Sequence, residues 1–87
     1  MPYRVELAPA AQRELRRLPP EVQARLAVPI QALGENPRPT GARRLRGEDR
    51  TWRIRVRPYR VVCDVYDDRE FVVVLRVSRR RESTYRL

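Results

Sequence analysis

Residues 50–65, RTWRIRVRPYRVVCDV, constrain the fold more than any other stretch of the chain. Trp52, Ile54 and Val56 alternate with Arg53, Arg55 and Arg57, and beyond Pro58 the apolar positions resume at Tyr59, Val61, Cys63 and Val65. A period of two is the pattern of a strand with one buried face. The Arg57-Pro58 dipeptide between two such runs predicts a two-residue hairpin turn. The register then follows, with Val56 opposite Tyr59, Arg55 opposite Arg60, Ile54 opposite Val61 and Trp52 opposite Cys63. Paired residues share a face, so one side of the hairpin is apolar and the other carries a row of guanidinium groups.

A further strand, residues 70–78, follows the turn-forming Asp67-Asp68-Arg69. A three-residue turn pairs Tyr66 with Glu70, Val61 with Leu75 and Arg60 with Arg76. Under that register Phe71, Val73, Leu75 and Val77 join the apolar face. Arg53, Arg55, Arg60 and Arg76 then meet on the opposite face, with Val62, Val72 and Val74 between them. Upstream, MPYRVEL reads as a first strand with Tyr3, Val5 and Leu7 on one side. Ala8, Ala11, Leu15 and Leu18 have helical spacing. Pro19-Pro20 ends that helix and opens a second, since proline is tolerated in a first turn. Val22, Leu26, Ile30 and Leu33 form its stripe, and Gly34 with Asn36-Pro37 stops it. Pro29 predicts a kink or a shortened helix. A short edge strand is expected within residues 42–46. The expected fold is α+β: an N-terminal strand, a helical hairpin, then three or four antiparallel strands, with the helices packed on one face of the sheet. Eighty-seven residues with no repeat and no linker make residues 1–87 a single domain.

Charge narrows the function. The chain has a formal net charge of +9, and all twenty basic residues are arginine. Residues 1–37 hold five Arg and four Glu, a net of +1; residues 38–87 hold fifteen Arg and seven acids, a net of +8. Such a field suits phosphate backbones or an acidic protein. A merely solvated outer face would have interspersed acids, and only Asp64 and Glu70 fall near the arginine row. The longest uninterrupted apolar run is FVVVL, too short to span a bilayer, so no membrane is expected. The lone Cys63 allows no internal disulfide and reads as a reduced core residue of a cytoplasmic protein. With no histidine and no acids at ligand spacing, neither a metal nor another cofactor is expected.

The order of these elements, together with ENPRPTGARRLRG, WRIRVRPYRVVCDV and VVVLRVSRRRESTYR, resembles the RelE/ParE superfamily of bacterial toxins, and its RelE branch more than its ParE branch. The resemblance implies an endoribonuclease that cuts mRNA in the ribosomal A site, needs no metal, and is held inactive by an acidic antitoxin encoded beside it. The family's paired basic residues fall on Arg53 and Arg55, its tyrosine–arginine pair places an arginine at Arg60, and its C-terminal tyrosine falls on Tyr85. The arginine after the last strand falls on Arg80 or Arg81, because one extra residue separates strand from tyrosine. These six residues are the implied catalytic set. Arg53, Arg55, Arg57, Arg76, Arg43 and Arg44 are the expected phosphate contacts, Arg76 on register alone.

RNA cleavage by 2′-OH attack needs a proton acceptor, stabilisation of a dianionic phosphorane-like transition state, and a proton donor for the leaving 5′ oxygen. Arginine suits the second task, because its planar fork binds phosphate oxygens and stays charged. It suits the first poorly for the same reason. Tyr85 and Glu82 are the remaining candidates; surrounding arginines would favour the phenolate of a tyrosine. Two other functions fit the pattern. One is a ParE-like inhibitor of DNA gyrase, and the other is a non-catalytic RNA- or ribosome-binding module.

Overall fold

The computed structural model describes residues 2–79. Its elements are β1 (Arg4–Leu7), α1 (Pro9–Arg16), α2 (Pro20–Ala32), β2 (Arg43–Arg44), β3 (Thr51–Val56), β4 (Tyr59–Tyr66), a 3-10 turn at Asp67–Arg69, and β5 (Phe71–Arg79). The strands form one sheet in the order β1-β5-β4-β3-β2. β1 runs parallel to β5, and the other pairs are antiparallel. The two helices pack on one face of the sheet, as the α+β reading expects, and the end of α2 returns beside the start of β1.

Local chemistry explains the helical hairpin. A proline stands in the first turn of each helix, where its missing N–H costs nothing. The Gln23 side-chain amide donates to the carbonyls of Leu18 at 2.8 Å and Arg16 at 3.4 Å, which α1 leaves without intrahelical donors. α2 runs through Pro29 to Ala32 and is not shortened. Leu26 and Ile30, on either side of the proline, are buried and hold the last turn against the sheet, so packing outweighs one lost helical bond. Gly34 lets β1 approach the end of α2. The Tyr3 N–H donates to the Gly34 carbonyl at 2.6 Å, and a Cβ at position 34 would lie 2.9 Å from the Tyr3 carbonyl oxygen.

The core joins Ala11, Leu26, Ile30 and Leu33 of the helical layer to Ile54, Tyr59, Val61, Cys63, Val65, Val72, Val74 and Val77 of the sheet. Tyr3, Val5, Leu7, Leu15, Leu18, Val22, Trp52 and Val56 pack around it. The β3–β4 register is the expected one throughout, from Val56 opposite Tyr59 to Trp52 opposite Cys63.

The β4–β5 register is not. Tyr66 pairs with Phe71, so the loop holds residues 67–70 and closes on Glu70, whose φ is 51°. This shift of one residue exchanges the faces of the strand. Val72 and Val74 are buried, while Phe71, Val73 and Leu75 take the outer side and are half-buried. A bulge then restores the original parity. Cys63 pairs with Val74 and Val62 with Arg76, leaving Leu75 as the extra residue, and Val77 is buried opposite Val61. Ser78 therefore stands opposite Arg60, where Arg76 was expected. FVVVL is apolar at both parities, so hydrophobicity cannot choose its register. A left-handed glutamate is also too uncommon to be read from sequence.

Candidate nucleic-acid interface

The sheet face away from the helices gathers arginines near the Arg57-Pro58 turn. Arg43 on β2 pairs with Arg53 on β3, Arg53 also pairs with Val62, and Arg55 pairs with Arg60 on β4. Four guanidinium-bearing positions on three adjacent strands thus share one face. Arg53 and Arg60 are half-buried, and Arg43 and Arg55 are exposed. Among the described residues, no carboxylate forms an ion pair with Arg43, Arg53 or Arg60. The turn itself is tied to the helical layer by Arg25, whose guanidinium donates to the Arg57 carbonyl at 2.8 Å.

The remaining expected residues divide three ways. Arg57 sits exposed in the turn at the rim of this cluster. Arg44 pairs with Trp52, which puts it on the opposite parity from Arg43 and off the cluster. Arg76 is held by Glu14 of α1: its Nε and a terminal nitrogen donate to Glu14 Oε2 at 2.8 and 2.6 Å. The other oxygen, Oε1, accepts the Val77 N–H at 2.7 Å. The Arg76 guanidinium holds the Glu14 carboxyl below the usual carboxylate range; burial opposes it, and the Val77 amide adds to the lowering. Arg80, Arg81, Glu82 and Tyr85 lie outside the described residues. No feature of the sequence marks Glu14, which acts on a strand 62 residues further on.

The far end of the same sheet is built differently. The Tyr3 hydroxyl donates to Asp67 Oδ1 at 2.6 Å, and Arg38 donates to the same oxygen at 2.8 Å while lying 5.5 Å from the centre of the Trp52 ring. The hydrogen bond from Arg38, followed by that from Tyr3, holds the Asp67 carboxyl below its ordinary range. The same bond to Asp67 raises the Tyr3 phenol. Tyr66 and Phe71 pack at 6.0 Å between ring centres, with Arg4 4.9 Å from Phe71 and Arg50 4.7 Å from Tyr66. Tyr66 lies on the outer face, where Arg50 covers its ring. Glu48, Asp49, Asp67, Asp68 and Glu70 all belong to the two loops at this end.

Cys63 is fully buried, and burial pushes its thiol up to about 12, so it is unreactive. Among the described residues no group of His, Cys, Asp and Glu is disposed to hold a metal ion, and no helix is long and apolar enough to cross a membrane. The arrangement is suited to gripping phosphates: forked donors on a rigid sheet, spaced along adjacent strands.

Comparison with known proteins agrees with this architecture. The profile of the family described as "ParE toxin of type II toxin-antitoxin system, parDE" matches residues 5–84. RelE1 of Methanocaldococcus jannaschii is 32% identical over 90 residues, covering 99% of this chain and 98% of that protein. A chain in the crystal structure of the toxin–antitoxin complex RelBE2 from Mycobacterium tuberculosis superposes with a TM-score of 0.81 at 32% identity, over 92% of this chain and 93% of that one. A chain in the intact RelBE toxin–antitoxin complex of E. coli gives a TM-score of 0.78 at 28% identity, over 92% and 99%. The class is therefore that of the small α+β toxins of type II toxin–antitoxin systems. The chain belongs to the RelE/ParE superfamily, in its RelE-like branch.

Proposed function

We propose that this toxin is a metal-independent, ribosome-dependent mRNA endonuclease, acting in the cytoplasm and restrained by a cognate acidic antitoxin. The observation that carries the reading is the gathering of Arg43, Arg53, Arg55 and Arg60 on one rigid face, with no carboxylate paired to Arg43, Arg53 or Arg60 among the described residues. Like charges on neighbouring strands repel, and a bound phosphate backbone removes that repulsion. Relatives in this branch have been crystallised as toxin–antitoxin complexes, RelBE2 of M. tuberculosis and RelBE of E. coli. An acidic antitoxin segment would compete with RNA for the same arginines.

In the proposed reaction the 2′-hydroxyl of the nucleotide before the cut attacks the adjacent phosphorus, and the 5′ oxygen leaves. Arg60 lies between Arg55 and Ser78 in the ladder and stabilises the negative charge that grows on the phosphoryl oxygens. Arg53 and Arg55 hold the flanking phosphates, with Arg43 and Arg57 at the rim. Proton transfer falls to Tyr85 or Glu82, and Arg80 or Arg81 supplies further charge stabilisation.

Toeprinting on translating ribosomes with purified protein tests the reading, and cuts within the A-site codon are the expected result. A second reading is kept because the matching family profile is that of ParE toxins: a poison of DNA gyrase. Intact mRNA together with trapped gyrase–DNA cleavage complexes would establish it instead.

A further inference from the structure

β1 ends at Leu7, opposite Val74, and the chain turns into α1 as the Ala8 N–H bonds to the Val74 carbonyl at 2.8 Å. Beyond that point, among the described residues, β5 has a neighbouring strand on its β4 side only. The Val77 N–H bonds to Glu14 and so points away from β4, at an edge where no described strand receives it. Glu14 fills the place of the missing strand: one carboxylate oxygen takes the Val77 N–H, and the other takes two donors from Arg76. The clamp lies immediately after the bulged Leu75, where the ladder changes register. An extra residue gives a strand a choice of pairings, and the pairing that follows sets what stands beside Arg60. In the observed register Ser78 is opposite Arg60, and Arg79 is opposite Tyr59.

We infer that Glu14 is a positioning residue for the arginine site: its carboxylate fixes the register of β5 beyond the bulge, with Arg76 as its counter-ion and not as a phosphate contact. The kinetic consequence rests on the nuclease reading above; the structural consequence does not. Among the described residues Glu14 forms no ion pair with Arg43, Arg53 or Arg60. It acts through β5, whose Ser78 stands opposite Arg60.

The test uses the full chain carrying Glu14→Ala, Glu14→Gln or Arg76→Met, each first shown to melt cooperatively. Amide hydrogen exchange at Val77 reads the clamp without any activity assay. In Glu14→Ala the Val77 amide should lose its protection, and the single-turnover rate should fall on the order of a hundredfold, the scale of a small misplacement. Ribosome binding, shared among many phosphate contacts, should change little. Glu14→Gln keeps an acceptor oxygen and should restore much of the protection and rate. Arg76→Met should leave the salt dependence of ribosome binding unaltered. The inference is overturned if Val77 exchanges in Glu14→Ala as it does in the parent. It is also overturned if Arg76→Met lowers the salt slope by about one, the mark of a phosphate contact. Should the parent leave mRNA intact, exchange and slope still decide the clamp, and only the nuclease reading fails.

Discussion

The two ends of the sheet use the same side chain in opposite ways. At the end closed by Asp67–Arg69 and Glu70, Arg4, Arg38 and Arg50 each have a structural partner. Arg38 is bound to Asp67 beneath Trp52, Arg4 pairs with Glu6 and covers Phe71, and Arg50 covers Tyr66. At the Arg57-Pro58 end, Arg43, Arg53 and Arg60 have no carboxylate partner among the described residues, although Arg53 and Arg60 are half-buried. Partial burial of an unpaired cation is unfavourable, so the second arrangement makes sense as a site completed by an anionic ligand. The net charge of the C-terminal half hides this division; only the pairing of each side chain separates cations that brace the fold from cations left for a partner.

The contrast between the two ends is greatest at Arg60. Arg60→Ala should lower single-turnover cleavage about a hundredfold, the usual loss for one transition-state donor, with an unchanged melting temperature. A fall in stability to match would make Arg60 a structural residue like those at the far end. The next effect belongs to that far end. Gly34→Ala places a Cβ 2.9 Å from the Tyr3 carbonyl oxygen and pushes β1 away from α2. Chemical denaturation should show a loss of roughly 1–3 kcal/mol, as for other overpacked sites, while the folded fraction cleaves normally. The smallest effect is at Asp67, whose side chain is largely exposed. Asp67→Asn should cost under about 1 kcal/mol once solvent screening is allowed for.

The sign of the pH dependence sharpens that last prediction. Because Arg38 and Tyr3 hold the Asp67 carboxyl below its ordinary range, its contribution is complete above the unfolded carboxyl value of about 4. It disappears as pH falls through the lower value of the folded state. Melting curves of wild type and Asp67→Asn should therefore differ at neutral pH and converge in acid. A gap that is constant with pH would mean that the carboxylate charge is not what Arg38 and Tyr3 recognise.

How much of this could be read from the sequence differed between two hairpins that share β4. In β3–β4, charged and apolar residues alternate strictly, and only one register buries all of Ile54, Val61 and Cys63 together; that register is the one observed. In β4–β5, Phe71 to Leu75 are apolar at every position, so either parity buries valines. The choice passes to Glu70, which enters the loop in a left-handed conformation, and to the bulge at Leu75. Arg76 was misplaced for the same reason, and its partner Glu14 comes from a helix whose pattern signals only an apolar face. The arginine cluster itself was legible because Arg43, Arg53, Arg55 and Arg60 depend on β2, β3 and β4 alone.

The most direct measurement of the central claim is the dependence of ribosome affinity on salt concentration. It would compare wild type with the double variants Arg53→Ala/Arg60→Ala and Arg38→Ala/Arg50→Ala, which remove the same charge from opposite ends of the sheet. Each arginine that meets a phosphate adds about one to the slope of log affinity against log salt. The first pair should therefore lower the slope by about two, and the second should leave it at the wild-type value. Equal losses from the two pairs, or a larger loss from Arg38 and Arg50, would contradict the division between bracing and ligand-binding arginines.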